Sequence, residues 1–158
     1  LRKELSKFYL FGVFVAFVAI DLLIKIWVTH HPALPIIIWQ NFFGVDFYIQ
    51  HITNRGGAWG LFASFYKPLL IARILVIIAL LGYLFKENHP FKKCFLLTLI
   101  LAGASANVLD SLIFGHVTDM FHFTFWGKSY GIFNFADTLI FLGAIGLLFL
   151  PKAKLADT

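Results

Sequence analysis

The sequence predicts a mainly α membrane protein: four transmembrane helices, with a small extracytoplasmic β-sheet in the first outer loop. Three observations carry that reading. Of 158 residues, 60% are hydrophobic and only 13% charged, whereas a soluble domain is nearer half apolar and a quarter charged. Four apolar runs, at about 9–28, 68–85, 94–114 and 133–150, reach or approach the roughly 20 residues that cross a hydrocarbon core as a helix. The basic residues gather at alternate connections between those runs.

The chain opens with the short basic stretch LRKELSK, and the run from Tyr9 to Val28 is then apolar except for Asp21 and Lys25. It is longer than the apolar core of a cleaved signal peptide, and no small-residue cleavage site follows it, so it is expected to stay as an anchor. Residues 29–67 form a connection too long to be a plain loop. There HHPALP breaks the helix at Pro32 and Pro35. In FFGVDFYIQ, Phe43, Val45, Phe47 and Ile49 alternate with Asp46, Tyr48 and Gln50, the period of a half-buried strand. The glycines of TNRGGAWGLFA, Gly56, Gly57 and Gly60, permit tight geometry and close approach of a ligand. Trp39, Trp59 and Tyr66 suit a membrane interface, so this connection is expected to lie as a sheet on the membrane surface. Arg73 near the start of the second run can snorkel outward. KENHPFKK is a polar turn, and the third run closes at Gly115, a plausible C-cap. An aromatic and polar loop fills 115–132, and PKAKLADT follows the fourth run. The whole of 1–158 reads as a single integral membrane domain.

Arg2, Lys3, Lys7, Lys86, Lys92, Lys93, Lys152 and Lys154 fall at the N-terminus, the middle turn and the tail; the opposite side has only Arg55, Lys67 and Lys128. By the positive-inside rule both termini are cytoplasmic and both long loops face outward. The same distribution explains the net charge of +5 without nucleic acid, since no basic groove or stripe forms. Cys94 is the only cysteine, which excludes an internal disulfide or a CxxC motif.

The orientation places Asp110, Asp119 and Asp137 at the outer edge of the membrane, where carboxylates are costly. Asn107 and Asp110 are three apart and share a helix face. Asn134 and Asp137 repeat that spacing in the first turn of the fourth helix, whose dipole favours a charged carboxylate. Two carboxylates held close together share one proton, the arrangement by which aspartic proteases activate water. Spacing leaves open which two of the three aspartates react. It also allows a bland alternative, in which Asn and Asp only bond helices together in lipid.

His116, Asp119 and His122 recur every third residue, but Gly115 ends the helix before them. Zinc needs three or four converging ligands, so no metal site and no cofactor are expected. Asp21 and Lys25, four apart, read as a structural ion pair. No Ser-His-Asp order, HExxH or phosphate-binding glycine loop occurs. A small transporter or channel with the aspartates as proton or cation sites is the alternative, although no repeat is visible and the carboxylates sit near one surface. A non-catalytic tetraspan interaction protein would not need paired carboxylates.

Five segments in order resemble the motifs of lipoprotein signal peptidases, the signal peptidase II family: Asp21 with Lys25, NRGGAWG at 54–60, ANVLD at 106–110, GHVTDMF at 115–121 and FNFAD at 133–137. The resemblance covers nearly the whole chain. It implies an aspartic endopeptidase of the bacterial cell (inner) membrane that removes signal peptides from diacylglyceryl-modified prolipoproteins. Asp119 and Asp137 would be its catalytic dyad. Asn54, Gly56, Trp59, Asn107, Asp110 and Asn134 would support the site or bind substrate. The expected partners are a lipid-modified prolipoprotein and membrane lipids, with the enzyme working as a monomer. Four positions depart from the pattern: Ser111 stands where the family has Arg, Leu22 and Ile24 replace polar residues, and Ala106 replaces a Gly.

Overall fold

The computed structural model describes residues 2–31, 33–55, 65–86 and 89–151. Four helices and four strands follow in the order α1 (Arg2–His30), β1 (Ile36–Phe42), β2 (Val45–Asn54), α2 (Tyr66–Lys86), α3 (Phe91–Phe114), β3 (Val117–Phe125), β4 (Lys128–Ser129) and α4 (Phe135–Leu148). Stretches within α1, α2 and α3 are long and apolar enough to cross a membrane. α4 coincides with the fourth apolar run but has only 14 residues, a rise of about 21 Å.

α3 is the central helix and packs against α1, α2 and α4. It starts after Pro90, whose carbonyl accepts the Cys94 N–H at 3.1 Å. It ends at Gly115, which adopts φ 72° and donates its N–H to Ser111 O, the left-handed cap that glycine enters without steric cost. Glycines set the α3–α4 distance. A Cβ on Gly103 would fall 2.3 Å from the Ala136 carbonyl oxygen, and one on Gly143 would fall 2.7 Å from Leu96 O. Small residues of this kind let helix backbones approach closely in lipid. α2 has no buried residue among those described, consistent with an apolar helix that faces lipid. It is tied to α3 by the Tyr66 hydroxyl, which donates to Ser111 O at 2.5 Å.

The strands form one antiparallel sheet in the order β1-β2-β3-β4. Its strands come from both long connections, where the sequence pointed to the first alone. The stretch FFGVDFYIQ is also not one strand. Phe43 and Gly44, at φ 51° and 79°, form a two-residue turn between Phe42 and its partner Val45. Two positive φ values in a row are the mark of a tight hairpin whose twist matches its strands. Trp126 and Gly127, at 49° and 74°, repeat the device between β3 and β4. The two turns touch, because Trp126 N donates to Gly44 O at 2.6 Å.

Candidate active site

α1, α3, α4, β2 and β3 converge on a buried polar cluster. Asp119 lies in β3 and is 3% exposed. Three backbone bonds bind Phe133 to β3: Met120 and Phe121 donate to its carbonyl, and its own N–H donates to Phe121 O. The Phe133 ring stacks on Phe123, which stacks on Phe47. This clamp brings the start of α4 against the strand that carries Asp119.

Asn134 caps α4. Its side-chain oxygen accepts the Asp137 N–H at 2.9 Å, and Asp137 Oδ2 accepts the Asn134 N–H at 3.2 Å. This reciprocal capping box satisfies two N–H groups that a helix start otherwise leaves unpaired. The Asn134 amide nitrogen is free for other partners. It donates to Asp119 Oδ1 at 2.7 Å and to Asn107 Oδ1 at 3.2 Å. One fully buried asparagine therefore touches both aspartates.

Two further amides complete the support. Asn54 Nδ2 donates to Asp119 Oδ2 at 2.8 Å, and Asn107 Nδ2 donates to Asp137 Oδ1 at 2.9 Å. Each aspartate is thus held by neutral donors, with no cation hydrogen-bonded to either among the described residues. Burial pushes the Asp119 carboxyl up to about 6; the bond from Asn54 opposes that rise and the nearby Asp137 charge adds to it. Desolvation of the charged form is the larger effect.

Asp110 points elsewhere. Its Oδ2 accepts the Thr118 N–H at 2.6 Å and lies 3.3 Å from Lys25 Nζ. Asp21 and Lys25 form a buried ion pair at 2.8 Å, and Asp21 Oδ1 accepts the Ala136 N–H at 2.8 Å. Gly56 and Trp59 lie outside the described residues. So do Gly57 and Gly60.

The histidines do not join the cluster. His116 rests beside the Phe114 ring, and His122 bonds Ser129 Oγ at 2.7 Å. Alternation along β3 sends Asp119 and His122 to opposite faces of the sheet. Among the described residues no three His, Cys, Asp or Glu side chains gather as a metal site would require.

Residues 13–151 match the family model described as signal peptidase (SPase) II. The chain belongs to the signal peptidase II family. It is 42% identical over 123 residues to the lipoprotein signal peptidase of Chlamydia muridarum (strain MoPn / Nigg), covering 75% of this chain and 71% of that one. The lipoprotein signal peptidase of Bartonella quintana (strain Toulouse) is 35% identical over 157 residues, covering 93% and 87%. A bacterial membrane enzyme solved by the in meso method at 1.9 Å superposes with a TM-score of 0.74 at 25% identity, covering 95% of this chain and 94% of that one.

Within this signal peptidase II chain, some supporting contacts were not foreseen from the motifs. The backbone amides of Thr118 and Ala136 hold Asp110 and Asp21, and the Lys25 ammonium donates to Asn107 Oδ1 at 2.9 Å across 82 residues. No local sequence signal marks a backbone donor or a contact of that separation. Ser111, in place of the family arginine, is buried, and its carbonyl receives the Tyr66 hydroxyl.

Proposed function

We propose that this chain is an aspartic endopeptidase that removes signal peptides from diacylglyceryl-modified bacterial prolipoproteins, with Asp119 and Asp137 as its dyad. Family membership supports the reaction. The residue assignment rests on one observation above the others: Asn134 bonds Asp119 through its amide nitrogen and Asp137 through its amide oxygen and backbone N–H. That bridge holds the two carboxyls as one unit.

Asp119, buried and raised towards neutrality, is the partner that carries the proton. Asp137, in the first turn of α4, is the partner that acts as base. Asp137 takes a proton from water as the water oxygen bonds to the scissile carbonyl carbon. Asp119 gives its proton to the developing oxyanion. Collapse of the tetrahedral intermediate breaks the C–N bond, and a dyad proton passes to the departing amine. The neutral asparagines orient both carboxyls without pairing either one with a cation, so the shared proton stays mobile.

The remaining assignments belong to the same proposal. All four helices cross the bilayer with both termini cytoplasmic, so the dyad lies at the extracytoplasmic face of the cell membrane. The sheet covers it, and the substrate's lipid chains stay in the bilayer. Asn54, Asn107 and Asn134 support the dyad. Gly56 and Trp59 are assigned to substrate contact by the motif they occupy, and the enzyme acts as a monomer on residues 1–158 as one domain. The test is Asp119→Asn and Asp137→Asn, each purified from membranes. Each variant should insert normally and lose cleavage of a lipid-modified prolipoprotein by about a thousandfold or more. Wild-type cleavage by either one would remove that residue from the dyad.

A further inference from the structure

Lys25 is 1% exposed in the middle of the polar cluster. Among the described residues its ammonium donates to Asn107 Oδ1 at 2.9 Å and forms ion pairs with Asp21 Oδ2 at 2.8 Å and Asp110 Oδ2 at 3.3 Å. Asp21 grips the N–H of Ala136, the residue before Asp137. Asp110 grips the N–H of Thr118, the residue before Asp119. Asn107 donates to Asp137 itself.

We propose that Lys25 is a positioning residue for the dyad: it fixes the backbone beside each aspartate through Asp21 and Asp110, and it fixes the amide polarity of Asn107. The last effect follows from donor and acceptor logic alone. A lysine cannot accept a hydrogen bond, so Asn107 must turn its oxygen to Lys25. Its NH₂ then points to Asp137, as a carboxylate requires. An ion pair that only offset the burial of its own charges would need a single carboxylate. Here one cation binds two, and their other bonds end one residue before each member of the dyad. The inference rests on the dyad reading above.

Two variants test it on the purified full-length chain, with a diacylglyceryl-modified peptide spanning the cleavage site as substrate. Asp21→Asn retains an oxygen for the Ala136 N–H but weakens the hold of Lys25. The triple variant Asp21→Asn, Lys25→Met, Asp110→Asn leaves no unpaired buried charge and keeps acceptors for both backbone amides. Misplacing reacting groups by about an ångström can cost up to about 100-fold. The triple variant is therefore expected to lose about 10- to 100-fold in kcat, with KM within about twofold of wild type. Asp21→Asn should lose less, in the same direction. A kcat within about twofold of wild type in the triple variant overturns the proposal. So does failure of Asp21→Asn to insert, which would make the cluster a requirement of the fold alone. Asp119→Asn is assayed beside them. If it stays active, the dyad reading fails; if it is inactive while the triple variant is not, only the role of Lys25 fails.

Discussion

Asn54 donates to Asp119 across 65 residues of chain because β2 contains one residue more than β3 requires. Ile49 pairs with Phe121 and Ile52 with Asp119, so three steps along β2 match two along β3. In a regular strand Asn54 would face away from Phe47 and Ile49. The bulge at Gln50 and His51 reverses that phase and aims Asn54 at the carboxylate, a use of bulges seen beside active sites.

Asn54→Ala is therefore expected to reduce kcat by about tenfold or more, since Asp119 Oδ2 loses its amide donor. Deleting Gln50 removes the extra residue and leaves Ile52 opposite Asp119 in an unbroken ladder, so Asn54 keeps its aim and this variant should stay more active than Asn54→Ala. Cleavage assays on the two variants check this. A deletion variant as inactive as Asn54→Ala would show that pairing phase alone does not aim the residue.

The raised Asp119 carboxyl makes a signed prediction about pH. Its folded value, about 6, lies above the ordinary 3.8, so between the two the folded state holds more protons than the unfolded state. Stability from this group therefore falls as pH rises through that window and is greatest below it. The thermal midpoint of wild type minus that of Asp119→Asn should decline between about pH 4 and about pH 6. For catalysis, kcat/KM should fall above about pH 6 as the free enzyme's dyad loses its shared proton. A midpoint difference that is flat or rising across that window would contradict the burial of a charged Asp119.

Gly103 offers a test of packing. A Cβ there meets the Ala136 carbonyl and the Ile140 side chain, one turn from Asn107 and next to Asp137. Gly103→Ala is expected to cost about 1–3 kcal/mol by overpacking and to reduce activity as α3 and α4 separate. Gly12→Ala, with nothing within 4 Å of the new Cβ, is the control. Thermal unfolding in detergent and cleavage assays distinguish the two.

Much of the molecule was legible in the residues. The apolar runs located the helices, Gly115 marked the end of α3, and the repeated Asn-x-x-Asp spacing picked out Asn107, Asn134 and Asp137, which bond to one another, and Asp110, which turns to Thr118 and Lys25 instead. The strand β3 had its own signal, because Phe121, Phe123 and Phe125 alternate with His122 and Thr124. The hairpin turns were harder to read. Phe43 and Trp126 adopt positive φ, where Gly, Asn or Asp would be expected, so only the following glycine hinted at a turn. The bulge has no sequence mark, since a period-two pattern looks the same until its partner strand is known. Lys25 and Asn107 are 82 residues apart, and only the fold brings them together.

The shortness of α4 carries a consequence for the lipid around it. In the four-span arrangement proposed above, 14 residues supply about 21 Å where the hydrocarbon layer is about 30 Å thick. On that arrangement the mismatch of roughly 9 Å is expected to be relieved by local thinning of the bilayer. Asp137 stands at the N-terminal end of that helix, so on the dyad reading proposed above the thinning would fall where the hydrolytic water is needed. Cleavage is then expected to slow in bilayers of longer acyl chains, which must deform further before water and peptide meet at the dyad.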